Sequence, residues 1–258
     1  MVKYELQYYN QQQLWNAYDG NRRELLRAQE TIQQIPDEVT TVLDIGCGNG
    51  ILTNRINREV VVGMDFANIP LRNVTKHAVC ASVEKLPFKP GVFDLILITE
   101  VLEHLPEHVY VQALDEIVRL DAKYILISVP FNEDFDIDVC KCDVCETTFH
   151  PSHHCRSFDD MWYADKFPGY EACQVSYSTI MTTKNHAIAR LKRQHGVYTE
   201  NKLVCCPLCG GNARPPNRFL NYLFKGITLT DIILKTVLNI KRPYHQLVLM
   251  TKRQVPTE

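Results

Sequence analysis

The sequence predicts an α/β fold built on a doubly wound, mostly parallel β-sheet. Near-continuous apolar runs lie at 42–45, 60–64, 93–98 and 124–129, and a further short strand is expected around 77–81. Runs of this kind are typical of parallel strands that are covered on both faces. Between the last two runs, residues 106–120 place apolar side chains at helical spacing. This alternation predicts a sheet with helices packed on both faces.

A glycine-rich turn follows the first predicted strand, with Gly46, Gly48 and Gly50 at alternate positions. Glycine has no Cβ, so the backbone turns sharply there and a ligand approaches it closely. The next segment, 51–58, has apolar residues four apart and therefore predicts a helix. The first amides of such a helix would favour negative charge on the ligand.

Asp65 directly follows the second apolar run. In nucleotide-binding βαβ units, an acidic residue about 20 residues beyond the glycine turn binds the ribose hydroxyls. Ligands of doubly wound sheets bind beyond the carboxyl ends of the strands, where the strand order reverses. The glycine turn and Asp65 therefore predict a ligand site at this edge of the sheet.

Composition limits the classes of protein to which the chain can belong. Its 258 residues are 45% hydrophobic and 22% charged, as in globular proteins with a sizeable core. The net charge of −2 gives no electrostatic footprint for nucleic acid. The sequence contains no apolar run of about 18 residues, so no membrane span is predicted. The first residues lack a signal-peptide pattern. The ten cysteines are therefore expected to be reduced thiols or metal ligands in the cytoplasm.

An N-terminal segment precedes the sheet. Residues 8–15 are aromatic and polar. A helix is expected to begin after Asn21, a good N-cap, with Glu24 in the reciprocal capping position. Apolar side chains at helical spacing mark its buried face, and Pro36 is expected to end it.

Together these blocks resemble those of class I S-adenosylmethionine (SAM) dependent methyltransferases. The similarity extends over 8–130 and rests on the glycine turn, the strand that ends in Asp65, and the segments 81–88 and 93–104. The resemblance implies a seven-stranded, Rossmann-like sheet with an antiparallel last strand, and SAM as the cofactor. A nicotinamide dinucleotide is the competing cofactor, but its Gly-x-Gly-x-x-Gly fingerprint needs the third glycine one residue later.

The resemblance also implies roles for residues at the strand ends. Asp44 would hold the glycine turn or take the SAM ammonium group through water. Asp65 would accept both ribose hydroxyls, and Phe66 would cover the adenine. Ser82 stands where the family commonly has an acidic residue, and the segment 8–15 would either fold over SAM or close the edge of the sheet. The implied SAM-binding residues are Asp44, Gly46, Cys47, Gly48, Asp65, Phe66, Ser82, Val83 and Thr99.

Two acids and a histidine follow the fourth predicted strand. Glu100, Glu103 and His104 would share one face of a helix beside the SAM methyl group. This block is similar to ubiquinone-pathway O-methyltransferases and small-RNA 2′-O-methyltransferases, in which such residues and a later histidine can hold a divalent cation. His154 stands where that later histidine would be. The alternatives are that His104 or His154 acts as general base, or that the block is structural.

Two Cys-x-x-Cys pairs predict a structural zinc site. Cys142 and Cys145 follow the fifth predicted strand, whereas Cys206 and Cys209 precede the last one. Both connections leave the sheet at its ligand-binding edge, so four thiolates could meet there and stabilise a small cap. The alternative zinc ligands are Cys142, Cys145, His150 and His154.

The C-terminal half carries elements that the fold class alone does not require. The expected elements are a helix at 158–164 capped by Ser157, strands at 174–180 and 246–251, a basic helix at 187–195, and apolar helices at about 217–225 and 229–240. The two apolar helices would shape the acceptor pocket, form a homodimer or rest on a membrane surface. We expect one domain over 1–258, in which the insertions 132–157 and 182–245 form the zinc-binding cap.

The sequence favours O-methylation of a small molecule or a saccharide. The acceptor side carries an elaborated cap, and the chain lacks the basic face that nucleic acid requires. RNA 2′-O-methylation is one alternative, and a non-catalytic module that binds SAM and zinc is the other. Nucleic acid is not expected as a partner, and the oligomeric state, including a homodimer, is left open.

Overall fold

A computed structural model gives the fold of the chain. It describes residues 3–18, 20–135, 139–182, 186–199, 203–215 and 242–253, together with 219–220, 222, 224, 226–227, 229 and 233. The helices are α1 (Lys3–Tyr9), α2 (Gln12–Tyr18), α3 (Arg22–Ile32), α4 (Asn68–Leu71), α5 (Glu107–Arg119) and α6 (His186–Gln194). The strands are β1 (Thr41–Ile45), β2 (Val60–Asp65), β3 (His77–Cys80), β4 (Leu95–Thr99), β5 (Tyr124–Pro130), β6 (Cys140–Lys141), β7 (Thr148–Phe149), β8 (Tyr170–Tyr177), β9 (Met181–Thr182), β10 (Arg242–Pro243) and β11 (His245–Lys252). Within these described parts, no helix has the length and apolar character that a membrane crossing needs.

Seven strands form the main sheet, in the order β3-β2-β1-β4-β5-β11-β8. The strands β1 to β5 are parallel, whereas β11 is antiparallel to both β5 and β8. The predicted seven-stranded, mostly parallel sheet is therefore confirmed. The strand order reverses beside β1, whose two neighbours are β2 and β4. The carboxyl ends of these three strands border the crevice in which doubly wound sheets bind ligands.

Both faces of the sheet are covered. On one face, Ile96 and Ile98 of β4 belong to the same buried cluster as Ile117 of α5. On the other face, Leu97 of β4 shares a cluster with Ala28 of α3. Successive residues of one strand therefore enter different layers, as the two-residue period of a strand requires. Because both faces of the central strands β1, β4 and β5 are covered, these strands appear in the sequence as nearly continuous apolar runs.

The helix expected over 51–58 does not form. The structure has one 3₁₀ turn at Thr53–Arg55, after which Ile56 is extended with φ −70° and ψ 118°. Because β2 begins at Val60, the chain must extend at once to enter the sheet. Leu52 and Ile56 are nevertheless buried, so the four-residue spacing predicted their burial correctly but the helix wrongly.

The helix expected over 158–164 is also absent, although Phe158 is buried. The segment forms successive turns, in which Met161 N donates to Asp159 Oδ1 at 3.1 Å and Ala164 N donates to the Met161 carbonyl at 3.0 Å. An aspartate that bonds to the backbone two residues on competes with helix formation. This competition favours turns over a helix in the segment.

The remaining expected elements of the C-terminal half lie close to their predicted positions. The strands expected at 174–180 and 246–251 correspond to β8 and β11, and the basic helix expected at 187–195 corresponds to α6. The apolar helices expected at 217–225 and 229–240 lie outside the described residues, apart from single positions.

Helix α3 begins as predicted. The side chain of Asn21 accepts a hydrogen bond from Arg23 N at 2.9 Å. Glu24 does not return to the N-cap but pairs with Arg27, with 2.6 Å between Oε2 and Nη2. The helix ends at Ile32, before the proline that was expected to end it.

Asp94 joins the beginnings of β1 and β4. Its Oδ2 accepts hydrogen bonds from the backbone amides of Thr40 and Thr41, both at 2.9 Å, and from the Thr40 hydroxyl at 2.7 Å. Burial alone would raise the pKa of this carboxyl, but the hydrogen bonds from Thr40 and Thr41 lower the pKa to about 2. The charged form therefore stabilises the fold.

We predict that Asp94→Asn lowers the free energy of unfolding by about 1–2 kcal/mol at pH 7. Because the folded-state pKa lies below the ordinary value, this contribution is complete above about pH 4 and is lost as the pH falls toward 2. Urea unfolding at pH 7 and pH 3 measures the difference between the two proteins, which should shrink at pH 3. Asp115→Asn, an exposed position on α5, is the control, and a pH-independent difference would contradict the assignment.

Candidate active site

The glycine turn lies at the carboxyl end of β1 and approaches its neighbours closely. Gly46 has φ +73°, and a Cβ there would lie 2.2 Å from Val101 Cγ2. Gly48 has φ +53°, and a Cβ there would lie 2.6 Å from the Trp15 ring. Both positions therefore require glycine, for backbone conformation and for space.

Asp65, at the end of β2, braces this turn. Its Oδ2 accepts from Gly48 N at 2.9 Å, and its Oδ1 accepts from Ala67 N at 2.8 Å. The side chain is almost fully buried, and this burial raises the pKa of the carboxyl although hydrogen bonds from the amides of Ala67, Gly48 and Phe66 oppose the rise. Each carboxylate oxygen keeps a second lone pair for a further donor.

Asp44 is buried beneath the same turn. Its Oδ2 accepts from the Thr53 hydroxyl at 2.6 Å, whereas its Oδ1 has no hydrogen-bond partner among the described residues. Burial raises the pKa of this carboxyl to about 7. The unpaired oxygen leaves an acceptor at the wall of the larger of two adjoining cavities.

The two cavities lie above the carboxyl ends of the strands. The first, which we call the slot, has a volume of about 130 Å³. The second, which we call the chamber, has a volume of about 220 Å³. The residues that line both are Tyr9, Trp15, Gly46, Glu100 and His104. The slot and the chamber therefore meet at the glycine turn and at the block that follows β4.

All nine residues implied for SAM binding line these cavities. Asp65, Phe66, Ser82 and Val83 line the slot, and Gly46 lines both cavities. The others, which line the chamber, are Asp44, Cys47, Gly48 and Thr99. Ser82, which replaces the acid of the family pattern, donates to Glu84 Oε2 at 2.8 Å. An acidic side chain is thus present two residues later in the chain.

The N-terminal aromatic segment covers the junction of the cavities. Trp15 lies over Gly48, and its Nε1 donates to the Tyr9 carbonyl at 2.7 Å. The Tyr9 ring meets Phe66 edge-on, with 5.4 Å between the ring centroids. The segment was expected either to fold over the ligand site or to close the edge of the sheet. Its position corresponds to the first of these.

Glu100, Glu103 and His104 were predicted to share one face of a helix. In the structure Glu100 does not share a helical face with the other two. Its φ of +55° is left-handed, and only Leu102–His104 forms a 3₁₀ turn. The left-handed residue turns the carboxylate toward other partners. Its Oε2 accepts from His245 Nε2 at 2.9 Å and lies 3.2 Å from Arg27 Nη1.

The charges around Glu100 keep it ionised. Burial would raise the pKa of the carboxyl, but the charges of His245 and Arg27 outweigh burial and lower the pKa to about 2. Ser128 Oγ also donates to Oε1 at 3.1 Å. Glu100 is therefore the centre of a polar network that links α3, β5 and β11.

Glu103, His104 and His154 come together instead. Glu103 is fully buried, and neither of its oxygens has a hydrogen-bond partner among the described residues. Burial raises the pKa of Glu103 and lowers that of His104, each well away from its usual value. The ring centroids of His104 and His154 are 4.7 Å apart, and Tyr9 Oη lies 3.0 Å from His104 Nδ1. One donor atom from each of the three residues lies within 4.8 Å of the others.

The two Cys-x-x-Cys pairs meet in space. The Sγ atoms of Cys142 and Cys209 are 3.5 Å apart, and those of Cys145 and Cys206 are 3.7 Å apart. All four sulfurs lie within 4.8 Å of one another. A Cβ at Gly211 would lie 2.9 Å from Cys142 Sγ, which shows how tightly the two loops pack.

The alternative zinc ligands His150 and His154 group with Glu133 and not with Cys142 and Cys145. Their rings stack on each other, with 4.5 Å between centroids. Both face the carboxylate of Glu133, and the donor atoms of these three residues lie within 4.8 Å of one another.

Several residues of the site have no signal in the sequence. In the sequence, Arg27 is one of several polar residues of a predicted helix, and Glu133 lies in a polar loop. His245 stands immediately before the predicted last strand. Each reaches the site only because the sheet order brings α3, the end of β5 and the start of β11 together. Only the topology, and not a local pattern, could have found them.

We predict that Glu100→Gln lowers the free energy of unfolding by about 1.5–3 kcal/mol, because Arg27 and His245 lose a charged acceptor. Chemical denaturation at pH 7, followed by circular dichroism, measures the change. Glu24→Gln removes only one carboxylate contact of Arg27, so it is the matched comparison and should cost less. Equal stability of the wild type and Glu100→Gln would show that the network carries little energy.

Comparison with known proteins agrees with this geometry. Residues 43–123 match the family described as a methyltransferase domain. A ubiquinone biosynthesis O-methyltransferase of Albidiferax ferrireducens is 37% identical over 79 residues, which is 26% of this chain and 31% of that protein. The match to curated relatives of that name spans about a third of their length.

Two solved structures share the fold. A SAM-dependent methyltransferase from Archaeoglobus fulgidus is 16% identical, with a TM-score of 0.53 and coverage of 92% of this chain and 99% of that one. The N-methyltransferase NodS from Bradyrhizobium japonicum, solved with S-adenosyl-L-homocysteine, is 11% identical, with a TM-score of 0.55 and coverage of 96% of both chains. Residues 43–123 are therefore similar to a methyltransferase domain, and the chain shares the fold of these two solved methyltransferases.

Proposed function

We propose that the protein transfers the methyl group of SAM to an oxygen atom of a small molecule. The observation that carries the proposal is the meeting of the slot and the chamber at Gly46, Glu100 and His104. The apolar lining of the slot suits an adenine ring. The chamber, which five of the implied SAM-binding residues line, would take the methionine part of SAM and offers polar side chains for an acceptor. The relatives named ubiquinone biosynthesis O-methyltransferase support oxygen as the methylated atom.

The residues at the strand ends suit SAM as the cofactor. Glycine at positions 46 and 48 lets Val101 and Trp15 pack directly against the turn, and Gly46 lines both cavities, where its backbone can lie against a ligand. In the proposal, Asp65 accepts the ribose hydroxyls with its free lone pairs, while Phe66 and Val83 bound the adenine. SAM supplies an electrophilic methyl group, and the chain supplies the positioning that accounts for much of the rate in such transfers.

A proton acceptor is needed when the acceptor is a hydroxyl group. Burial lowers the pKa of His104 well below its usual value, which makes His104 a weak base near neutral pH. We therefore assign the general base to His154, which lines the chamber. His104, at the junction of the cavities, would hold the acceptor oxygen in line with the methyl group.

A divalent cation is the alternative to a histidine base. Glu103, His104 and His154 would hold it, and it would neutralise the buried carboxylate of Glu103 and lower the pKa of the acceptor hydroxyl. The two mechanisms differ in one respect that is easily measured. A chelator that leaves the thiolate-bound metal in place abolishes turnover only if the cation is required.

The four cysteines are proposed to bind a structural zinc ion. Two pairs of sulfurs from separate loops suit the tetrahedral coordination of zinc. Cys142 and Cys206 share a buried cluster with Tyr8 and Leu14 of the N-terminal helices. In this proposal the chain is one domain over 1–258, and the insertions 132–157 and 182–245 form a zinc-bound cap that supports the aromatic cover of the site.

Other parts of the proposal concern the acceptor and the setting. A saccharide is the second acceptor class, since the chamber is polar. RNA 2′-O-methylation and a non-catalytic SAM- and zinc-binding module remain the alternatives. None of the ten cysteines forms a disulfide bond, which supports a reducing, cytoplasmic location. A homodimer stays a prediction that sedimentation can test.

We predict that His154→Ala lowers kcat for methyl transfer by roughly 10²- to 10⁴-fold, the range expected on loss of a general base. Release of S-adenosylhomocysteine with a panel of phenols, catechols and sugars measures turnover. The affinity for SAM should be unchanged, and His108→Ala, an exposed position on α5, should behave as the wild type. A fully active His154→Ala would remove His154 from the mechanism, and no turnover by the wild type with any acceptor would favour the non-catalytic module.

We predict that the purified protein holds about one zinc ion per chain and that Cys145→Ser removes it, because a closed structural site needs all four ligands. Mass spectrometry under native conditions measures the metal content. Cys173→Ser, an exposed cysteine on β8, should retain the zinc. Zinc retained by Cys145→Ser would overturn the four-thiolate assignment.

A further inference from the structure

A carboxylate lies between two histidines at the side of the chamber. Glu133 Oε1 is 3.5 Å from His150 Nε2, and Glu133 Oε2 contacts His154 Nδ1. The exposed fractions of the three side chains are 11%, 7% and 6% for Glu133, His150 and His154. Of the three residues, His154 lines the chamber. The array therefore joins the loop after β5 to the wall of the acceptor site.

We propose that Glu133 is a positioning residue that fixes the tautomer of His154, and that His150 holds Glu133 in place. The Nδ1–H group of His154 donates to Glu133, so the lone pair lies on Nε2, on the other side of the ring. This is the form in which His154 can take a proton from an acceptor hydroxyl. The catalytic consequence rests on the proposed function, whereas the tautomer does not.

The backbone around His150 determines which of its nitrogens carries the proton. Its Nδ1 accepts from Ser152 N at 3.3 Å and from His154 N at 3.4 Å. In a neutral ring the proton is then on Nε2, which faces Glu133. A metal ion bound by Glu133, His150 and His154 would need a lone pair on that same atom. The contacts therefore favour a hydrogen-bonded array over a metal site.

Two left-handed residues bring the loops together. Asn132 has φ +46°, and its amide donates to the Phe158 carbonyl at 2.8 Å. His153 has φ +58°, and its Nε2 bonds to the Cys205 carbonyl at 2.8 Å. His153 thus faces the cysteine loop, whereas His154 faces Glu133. The left-handed backbone at His153 therefore accompanies different hydrogen-bond partners for the adjacent side chains of His153 and His154.

The energetics favour this pairing. A buried carboxylate is costly unless hydrogen-bond donors surround it. Within the described part of the chain, the ion-pair contacts of Glu133 are those to His150 and His154. Replacing Glu133 by an apolar residue would leave His154 Nδ1–H without this acceptor, and the ring would be free to change tautomer or turn.

Nuclear magnetic resonance tests the tautomer directly. The full-length, zinc-loaded protein is labelled with ¹⁵N-histidine and studied at pH 8, where an ordinary histidine is neutral. Two-bond ¹H–¹⁵N spectra show which nitrogen carries the proton, and loss of signals in His154→Gln identifies that ring. We expect Nδ1–H in the wild type and a shift toward Nε2–H in Glu133→Leu. Glu133→Gln, whose amide oxygen still accepts, should be intermediate.

Kinetics supply the second measurement. We expect kcat of Glu133→Leu to fall by roughly 10- to 100-fold, as on loss of an outer carboxylate partner of histidine. The KM for SAM should not change, and Glu133→Gln should recover part of kcat. Glu59→Leu, an exposed position before β2, controls for loss of an acid, and thermal unfolding shows that each variant is folded.

Two results would overturn the proposal. One is an Nε2–H tautomer for His154 in the wild type, and the other is an unchanged Nδ1–H tautomer in Glu133→Leu. Both are read from spectra without turnover. An inactive protein with the expected tautomers would count against the proposed methyl transfer and not against the role of Glu133.

Discussion

The structure depends on the hydrogen bonds that the carboxylate of Asp65 accepts. By binding Gly48 N and Ala67 N, it ties the turn after β1 to the turn after β2. A buried carboxylate is costly unless donors surround it, and these two amides offset part of that cost. On its other side, the glycine turn contacts Val101, which leaves no space for a Cβ at Gly46. The carboxyl ends of β1, β2 and β4 are thereby held at fixed positions around the slot and the chamber.

The same turn supports the parts of the protein that cover the site. Trp15 rests on Gly48, and Tyr8 belongs to the buried cluster of Cys142 and Cys206. The aromatic cover and the cysteine loops therefore form one packed unit above the glycine turn. If the cysteines bind zinc as proposed, the metal stabilises the cover of the ligand site as well as the cap. Its removal would then weaken SAM binding without touching a SAM contact.

Much of the fold could be predicted from the sequence, because the central strands are buried on both faces and form apolar runs in the sequence. The pairing of Cys142 and Cys145 with the second cysteine pair follows from topology and spacing in the same way. The helix over 51–58 was predicted wrongly, because apolar spacing predicts burial and not the length of chain available before β2. Glu100 and Glu103 do not share a helical face, because Glu100 itself has a left-handed backbone conformation. The spacing of residues in the sequence does not predict such a conformation. Arg27, His245 and Glu133 reach the site through tertiary contacts between distant segments, so a linear pattern could not locate them.

The central claim is that the glycine turn and Asp65 bind SAM. Isothermal titration calorimetry of the full-length protein with SAM and S-adenosylhomocysteine tests it most directly, with Asp65→Ala as the variant and Asp115→Ala as the control on exposed α5. The account predicts that one SAM binds per chain in the wild type and the control, and that Asp65→Ala, folded by circular dichroism, has lost most of that affinity. Failure of the wild type to bind either compound would contradict the account, and so would equal affinity in Asp65→Ala.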